Sequence, residues 1–267
     1  MAQKLKKWRI KWRIKKQFIL KFIDTKNMSR TLLIVIGILI ALIVGMAFYI
    51  TTIFQEDQDT LYQVSTIQNL SAGGYDGYLT IGEIKKQGDF GIGTFNRLDG
   101  EMIVLNGTFY QVKSNGTIYN PPDNEEIPFV MLTYFESDNT TSVNQLNGSE
   151  LENSLNKTFP QPNIFYAIKI DGNFTYIKAR SVPEQSPPYQ NLTEVIKNQT
   201  IFEFNDINGT IVGFWCPDTV GGLNNPGFHF HFISQNKTDG GHVLEFNVGN
   251  ATMQLDYTPK FYMDIPS

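Results

Sequence analysis

Cysteine and histidine are both scarce in this chain. The sequence has 267 residues and a single cysteine, Cys216, so a disulfide bond within the chain is excluded. The segment after residue 50 is about 215 residues long, which is enough to bury a core without disulfides. The three histidines of the chain all lie within fourteen positions, between His229 and His242. Such clustering in a chain otherwise free of histidine indicates a site.

Basic residues are scarce after position 30. Residues 4–30 hold eleven of the 22 Lys and Arg residues against one acid, Asp24. The rest of the chain carries 11 basic and 25 acidic residues, a net formal charge of −14. Nucleic-acid binding requires a basic face that contacts phosphates. The charge distribution therefore argues against a nucleic-acid partner.

One long stretch contains no charged residue. It is TLLIVIGILIALIVGMAFYI, residues 31–50, and as a helix it would span about 30 Å, the thickness of a bilayer core. A cleavable signal peptide has a shorter apolar run that ends in small residues. This run ends in bulky residues, so the sequence predicts an uncleaved transmembrane anchor over residues 31–54. A buried core helix is the alternative.

The basic N-terminal segment predicts the orientation of this anchor. Residues 1–30 include the tandem KWRIKWRIKK, and Lys and Arg beside a spanning helix remain in the cytoplasm. Trp8 and Trp12 in the tandem suit contact with anionic lipid. We therefore expect a single-pass protein of the cell membrane, with a cytoplasmic N-terminus and an extracellular domain after the anchor.

Asparagine followed by x-Ser/Thr is frequent after residue 50. Twelve such sequons occur there, at Asn69, Asn106, Asn115, Asn139, Asn147, Asn156, Asn173, Asn191, Asn198, Asn208, Asn236 and Asn250. About three matches are expected by chance, and each match is an acceptor site for an N-glycan on an exported surface. The sequence thus predicts a glycoprotein. Asn-rich turn chemistry accounts for some of the matches.

The hydrophobic pattern after the anchor predicts an α+β fold that is predominantly β. We expect two β-rich parts with mixed or antiparallel sheets and few short helices. The first part, at residues 58–150, contains the short helices, and the second, at residues 160–267, would bind a metal. Residues 137–163 are polar and are expected to form a connection between the parts.

Three hairpins are predicted from alternating segments interrupted by Asn-Gly or Asp-Gly, the strongest short-range signals for a β-turn. One hairpin covers residues 102–120. The other two are expected to turn at Asp171-Gly172 and at Asn208-Gly209.

A glycine-rich segment at residues 87–107 precedes and includes Glu101. Its spacing matches neither a dinucleotide fingerprint nor a Walker loop, and no Lys-Ser/Thr pair follows. This excludes a phosphate loop. We expect instead that the backbone packs tightly near a site and that Glu101 lies in a strand.

The segment GFHFHFIS carries two of the histidines. Alternate residues of a strand share a face, so His229 and His231 would point one way and the phenylalanines the other. His242 opens the next strand and reaches the same face if the two strands pair. Three imidazoles with open positions form the pattern of a catalytic zinc site, although iron, copper or nickel also suits imidazole. A cupin would need a Glu three or four residues later, where Ser234 and Gln235 stand.

Several segments resemble, in order, those of the acetolactate decarboxylase family: YQVSTIQNLSAGGYDG, GDFGIGTFNRLDGEMIVLNGTFYQV, IPFVMLTYFE, ARSVPEQSPPY, GFWCP and GFHFHFIS…GGHVLEF. The resemblance covers about residues 61–258. It implies a zinc-dependent enzyme that converts (S)-2-acetolactate to (R)-acetoin and carbon dioxide. The family's zinc histidines match His229, His231 and His242, and its active-site Glu and Arg match Glu101 and Arg180.

These residues suit the implied chemistry. A metal would stabilise the enediolate left by loss of carbon dioxide, and Arg180 would orient the carboxylate or stabilise the oxyanion. Glu101 would deliver the proton, provided that burial raises its pKa.

Two alternatives keep the same scaffold. One is a non-catalytic surface protein that binds a metal or a hydroxy-keto acid, and the other is a different metal-dependent lyase or hydrolase. The presence of Glu101 and Arg180 beside three histidines favours the enzyme, because a bare metal-binding module needs neither. The sequence leaves open the metal ion and the oligomeric state, for which a homodimer is one candidate.

Overall fold

The computed structural model describes residues 29–266. Almost all of the predicted cytoplasmic segment, including the basic tandem, lies outside the described residues. The chain divides into two compact units, Met1–Gln55 and Glu56–Ser267.

Helix α1 spans Arg30–Gln58 and begins where the Ser29 hydroxyl accepts a hydrogen bond from the backbone N–H of Leu32. Among the described residues, its Arg30–Ile50 segment is the one stretch long and apolar enough to cross a membrane, by length and composition alone. A signal sequence near an N-terminus passes the same test of length and composition. The helix runs past the predicted end at residue 54 and ends at Gln58.

The second unit is built mainly from strands. The strands are β1 (Thr60–Val64), β2 (Leu79–Thr80), β3 (Phe90–Thr94), β4 (Glu101–Leu105), β5 (Thr108–Val112), β6 (Ile118–Tyr119), β7 (Glu126–Ile127), β8 (Phe129–Thr133), β9 (Asn139–Asn147), β10 (Phe165–Ser181), β11 (Thr200–Cys216), β12 (Gly227–Ser234), β13 (Gly240–Thr258) and β14 (Lys260–Asp264). The helices are α2 (Ile67–Ser71), α3 (Ile81–Ile84), α4 (Gly148–Thr158) and α5 (Leu192–Val195), with 3₁₀ turns at Asn96–Leu98, Ile196–Asn198 and Asp218–Val220. The predicted predominance of strands with few short helices is confirmed.

Two large sheets organise these strands. The first has the order β14-β1-β8-β3-β4-β5-β6, and all its pairs are antiparallel except β14 with β1. The second has the order β10-β11-β12-β13-β9, and β10 also pairs with β13. That additional pairing closes β10 to β13 into a ring of four strands. Strands β2 and β7 form a separate short pair.

Three apolar clusters hold the sheets together. One cluster contains side chains of both sheets, such as Phe90 and Phe214, which pack edge to face. A second cluster belongs to the four-stranded ring and includes the fully buried Phe174 and Phe232. A third covers the other face of the first sheet. Each such buried side chain contributes roughly 1.5–3 kcal/mol to folding, so the two sheets are stable without a disulfide.

The hairpin predicted at residues 102–120 is confirmed at its first turn. Strands β4 and β5 pair through a turn at Asn106-Gly107, where both residues have positive φ. The short β6 then returns along β5 after a second turn.

The other two predicted hairpins are wrong. Strands β10 and β11 are each continuous over 17 residues, and they pair with each other with Gly172 opposite Gly209. These glycines allow close packing instead of a turn. A Cβ on Gly172 would lie 2.4 Å from the carbonyl oxygen of Asn250, and one on Gly209 would lie 2.5 Å from that of Ile233.

The prediction that residues 137–163 form only a connection is also wrong. It contains strand β9 and helix α4. Strand β9 lacks an alternating pattern because it is an edge strand in which Val143 is the single buried residue. Helix α4 begins with a capping box between Asn147 and Glu150, a polar signal that does not depend on an apolar stripe.

The division into parts at 58–150 and 160–267 stays a prediction about domain organisation. The sheets do not follow it. Strand β9 precedes residue 150 but pairs with β13, and β14 lies at the C-terminal end but pairs with β1. Each large sheet therefore contains one strand from the other predicted part.

The close approach at Gly172 is testable. We expect Gly172→Ala to destabilise the protein by about 1–3 kcal/mol, because the new methyl group meets backbone atoms that cannot rotate away. The free energy of unfolding in urea measures this. Gly221→Ala is the matched control, since its nearest neighbour would be 3.8 Å away, and it should change stability by less than about 0.5 kcal/mol. Equal effects would show that strand packing does not require Gly172.

Candidate metal centre

Three histidine side chains meet where β12 and β13 pair. His231 lies directly opposite His242, so the expected pairing of these strands is confirmed. His229 precedes His231 by two residues and shares its face. The three ring centroids are 4.9–5.2 Å apart. The neighbouring Phe230 and Phe232 point to the opposite side and join the core of the strand ring.

The turn between β12 and β13 fixes this register. The hydroxyl oxygen of Ser234 accepts hydrogen bonds from the backbone N–H groups of Thr238 and Asp239, at 3.2 and 3.0 Å. The backbone N–H of Ser234 donates to the carbonyl of Asp239 at 2.8 Å. The buried Ser234 therefore closes the turn from inside, and His242 follows three residues after Asp239.

The ring nitrogens have the spacing of metal ligands. His242 Nδ1 lies 3.2 Å from His229 Nε2 and 3.3 Å from His231 Nε2, and one nitrogen from each ring lies within 4.8 Å of the others. Nitrogens bound to a tetrahedral zinc at its usual bond length are about 3.3 Å apart. The donor set and its spacing thus fit a zinc ion, and also other divalent transition metals.

Tautomer and charge also favour metal binding. His231 Nδ1–H donates to the carbonyl oxygen of Met102 at 2.7 Å, which leaves the lone pair of Nε2 directed at the other rings. Burial lowers the pKa of His229 to about 4 and, with the Arg180 charge nearby, lowers the pKa values of His231 and His242 well below the usual range. All three rings are therefore neutral at pH 7, the form that binds metals.

Glu101 is held beside the histidines by a strained turn. Arg97 and Leu98 have φ values of 60° and 57°, unusual for non-glycine residues, and each costs about 1–3 kcal/mol. Surrounding contacts hold the turn: the Arg97 N–H donates to Tyr75 O at 2.7 Å, and the Thr94 hydroxyl donates to Gly100 O at 2.7 Å. The next residue, Glu101, is then directed inwards at the first position of β4.

The Glu101 carboxylate is buried between a histidine and an arginine. Its Oε2 lies 3.6 Å from His231 Nε2 and its Oε1 lies 3.5 Å from Arg180 Nη1. Burial raises the pKa of Glu101, and the Arg180 charge opposes this rise. A carboxyl group with a raised pKa is suited to hold and release a proton near neutral pH.

Arg180 lies near the end of β10, opposite His242 in the neighbouring strand. Its side chain is 13% exposed, so it points into the protein and not into solvent. Its Nη1 makes the charge contact with Glu101 but has no hydrogen-bond acceptor among the described residues. A buried guanidinium donor without an acceptor is a site for an oxygen atom of a ligand.

The five predicted residues line one pocket. It has a volume of about 80 Å³, and its remaining wall is largely apolar. The lining residues that sequence reasoning missed are Ile67, Leu70, Thr94, Leu98, Phe129, Val182, Leu192 and Asn225. They come from strands, short helices and loops, and no spacing in the sequence identifies them. The glycine-rich segment contributes Gly93, Thr94, Leu98 and Glu101, as its predicted role near a site requires.

A buried amide pair joins two walls of this pocket. Asn224 Nδ2 donates to Gln63 Oε1 at 2.8 Å, and Gln63 Nε2 donates to the carbonyl oxygens of Ser65 and Leu223, at 2.7 and 2.9 Å. The contact ties the loop before β12 to the corner between β1 and α2. Asn225 and helix α2, which both line the pocket, are thereby held in place.

Comparison with known proteins shows the family to which this chain is similar. The family model for alpha-acetolactate decarboxylase matches residues 61–267. The alpha-acetolactate decarboxylase of Methanosarcina mazei is 48% identical over 210 residues, covering 78% of this chain and 73% of that protein. The Bacillus subtilis alpha-acetolactate decarboxylase is 39% identical over 216 residues, covering 80% of this chain and 85% of that protein.

Solved structures share the fold. The crystal structure of alpha-acetolactate decarboxylase from Bacillus subtilis strain 168 superposes with a TM-score of 0.76 at 39% identity, covering 78% of this chain and 89% of that one. A Staphylococcus aureus protein described as similar to alpha-acetolactate decarboxylase gives the same TM-score at 32% identity, covering 78% and 89% of the two chains. On the family match, the sequence identities and the fold, the chain belongs to the alpha-acetolactate decarboxylase family.

Proposed function

We propose that this decarboxylase is zinc-dependent and converts (S)-2-acetolactate to (R)-acetoin and carbon dioxide in the pocket formed by His229, His231, His242, Glu101 and Arg180. One observation carries the proposal. Three neutral imidazoles with metal-ligand spacing share a buried pocket with a carboxyl group and an arginine donor that has no acceptor. The family's named activity identifies the substrate.

The chemical demand on the pocket is the stabilisation of negative charge. Acetolactate carries a ketone β to its carboxylate, and cleavage of the bond to the carboxyl carbon leaves an electron pair that becomes an enediolate. The three histidines would hold a zinc ion, which would supply Lewis acidity worth several kcal/mol toward the negative charge that develops on the substrate. The remaining tasks fall to side chains of this chain.

Arg180 binds the substrate anion. Its Nη1 is buried and lacks a hydrogen-bond acceptor among the described residues, and a guanidinium binds a carboxylate or oxyanion with fixed geometry. Its position beside His242 lets it orient the substrate between the histidines and the apolar wall.

Glu101 delivers the proton that completes acetoin. Its carboxyl group is buried, and burial raises its pKa while the Arg180 charge opposes the rise. In its protonated form it can donate the proton to the enediolate carbon. The carboxyl group lies on one side of the pocket, held by the turn before β4. Delivery from a fixed side accounts for a single enantiomer of the product.

Two alternatives remain weaker. A non-catalytic protein that captures a metal or a hydroxy-keto acid has no use for the buried Glu101, whose burial costs stability unless it serves a purpose. Another metal-dependent lyase or hydrolase would use the same ligands on a different substrate. Acetoin release from acetolactate by the purified protein separates both alternatives from the proposal.

We also propose that the enzyme is anchored in the cell membrane by α1 with the decarboxylase domain outside. The apolar Arg30–Ile50 segment, the basic residues before it and the sequons after it support this orientation. A homodimer remains a proposal without a specific contact to support it.

The metal site is tested by His231→Ala. The substitution removes one of three ligands, and zinc needs at least three protein ligands in a stable catalytic site. We expect metal affinity to fall by more than the roughly 10–100-fold that loss of a supporting residue causes, and activity to disappear with it. Metal content by elemental analysis is the measurement.

Gln235→Ala is the control for this variant, because Gln235 is exposed in the turn directly after the same strand and lies outside the pocket. It should retain full metal content and activity. Full metal occupancy in His231→Ala would refute the assignment of the ligands.

The proton donor is tested by Glu101→Gln, which keeps the shape of the side chain but removes its transferable proton. We expect turnover to fall by about 10²–10⁴-fold, the usual contribution of general acid catalysis, while metal content is unchanged. The acetoin formed should lose enantiomeric purity, because water would then protonate either face. Chiral chromatography measures this loss. A single enantiomer formed at the wild-type rate would mean that another group delivers the proton.

The orientation is tested with protease added to intact cells. We expect cleavage within residues 56–267, because the proposed topology exposes this unit outside the membrane. A cytoplasmic enzyme of the same cells, left uncut, shows that the cells remained closed. Protection of the domain until the cells are lysed would contradict the orientation.

A further inference from the structure

The twelve sequon asparagines differ in their exposure and in the hydrogen bonds that their side-chain amides form. Eleven of the twelve are exposed, and Asn173 is half-buried. Exposure alone does not make an acceptor, since the sugar bond forms at the amide nitrogen, Nδ2, and the motif also requires the hydroxyl of the Ser or Thr two residues later. All twelve sequons, with the amide of the asparagine and the hydroxyl of the Ser or Thr, lie within the described residues.

At several sequons the amide oxygen of the asparagine, and not its nitrogen, forms the hydrogen bond to the rest of the fold. Asn147 Oδ1 accepts from the Glu150 N–H at 2.9 Å and Asn191 Oδ1 accepts from the Glu194 N–H at 3.0 Å, each as a helix cap. Asn115 Oδ1 accepts from the Thr117 N–H at 3.0 Å in a turn. The oxygens of Asn139 and Asn236 accept from hydroxyl groups. In each case Nδ2 is the atom left for modification.

Asn69 and Asn173 show the reverse arrangement. Asn69 Nδ2 donates to the Ser65 hydroxyl at 3.1 Å, and a Cβ on Gly74 would lie 2.4 Å from this nitrogen. Asn173 Nδ2 donates to Asn208 Oδ1 at 3.3 Å. The Nδ2 atom of both asparagines is therefore held in a hydrogen bond within the fold.

Asn173 is also crowded by two other sequons. It pairs with Asn208 on one neighbouring strand and with Asn250 on the other. Side chains directly opposite each other in a sheet are about 5 Å apart, a distance that does not admit two branched sugars. At Asn208 the required hydroxyl is closed off, because Thr210 is 5% exposed and donates to Asp171 Oδ1 at 2.8 Å.

We propose that the fold divides the twelve sequons into nine N-glycan acceptors and three that stay unmodified. The three are Asn69, Asn173 and Asn208. The nine are Asn106, Asn115, Asn139, Asn147, Asn156, Asn191, Asn198, Asn236 and Asn250, where both the asparagine and its sequon hydroxyl residue are exposed. The inference rests on the proposed outward orientation of the domain.

The modification requires a lipid-phosphate-linked oligosaccharide as the donor. The Asn Nδ2 forms a bond to C1 of the first sugar and loses one proton. The bond between C1 and the phosphate oxygen breaks, and the carrier leaves as its phosphate or diphosphate. No oxidant or reductant takes part.

None of the nine acceptors lines the pocket that holds the histidines, Glu101 and Arg180. One of the nine, Asn147, lines the larger neighbouring cavity, of about 580 Å³, that also borders His229 and His242. The other eight line neither of these two cavities.

The test is glycopeptide mass spectrometry on the full-length protein purified from the membranes of its own host. We expect glycans on the nine acceptors and unmodified peptides for Asn69, Asn173 and Asn208. The sharpest comparison is Asn250 against Asn173, because they are paired on adjacent strands and differ in the surroundings of Nδ2. Equal occupancy at these two positions would overturn the structural division, and so would the absence of glycans from all twelve.

Thr252→Ala provides an independent check. Thr252 is exposed, and its loss abolishes the sequon at Asn250. We expect the intact mass to fall by one glycan plus the small change of the substitution, with acetoin formation unchanged. A mass change equal to that of the substitution alone would overturn the assignment of Asn250.

Failure of the inference can be told apart from failure of the proposed function. Acetoin formation by the same preparation reports on the enzyme, and protease added to the same cells reports on the orientation. An active, protease-accessible domain without sugars would refute the glycans alone. A protected domain without sugars would refute the orientation and the glycans together.

Discussion

The hydrogen bond from His231 Nδ1 to the carbonyl oxygen of Met102 is the contact on which the site depends. It joins β12 of the strand ring to β4 of the other sheet, and both partners are buried. Because Nδ1 carries the proton, Nε2 is the atom left available to bind a metal. Because Met102 follows Glu101, the same bond sets the carboxylate at its distance from the imidazole. The contact that packs the two sheets against each other therefore also fixes the geometry of the site.

The closed ring of strands supplies the rest of the site. Strand β13 pairs with β12 at His242 and with β10 at the same residue, so His242 lies opposite both His231 and Arg180. This brings a cation beside three imidazoles, which is tolerable only because burial and that charge keep the rings neutral. The strained turn at Arg97 and Leu98 then directs a carboxylate into the same space. Strain and buried charge are both concentrated where the proposed chemistry occurs.

The sequence predicted the five polar residues of the site but not its walls. His229 and His231 are recognisable because strand alternation is local, and His242 because it opens the next strand. Asn225 and Leu192 reach the pocket through long-range packing that leaves no periodic signal. The turns expected at Gly172 and Gly209 were wrong because glycine serves close strand approach as well as turns, and the sequence does not distinguish these uses. Strand β9 was missed because an exposed edge strand has no apolar alternation.

The proposed dependence of decarboxylation on one metal ion held by three histidines is tested most directly by titrating zinc into metal-stripped full-length protein, with acetoin formation followed at each addition. We expect activity to rise in proportion to zinc, to reach its maximum at one equivalent per chain, and to stay constant beyond it. Full activity in the metal-stripped protein, or a maximum unrelated to one ion per chain, would contradict it.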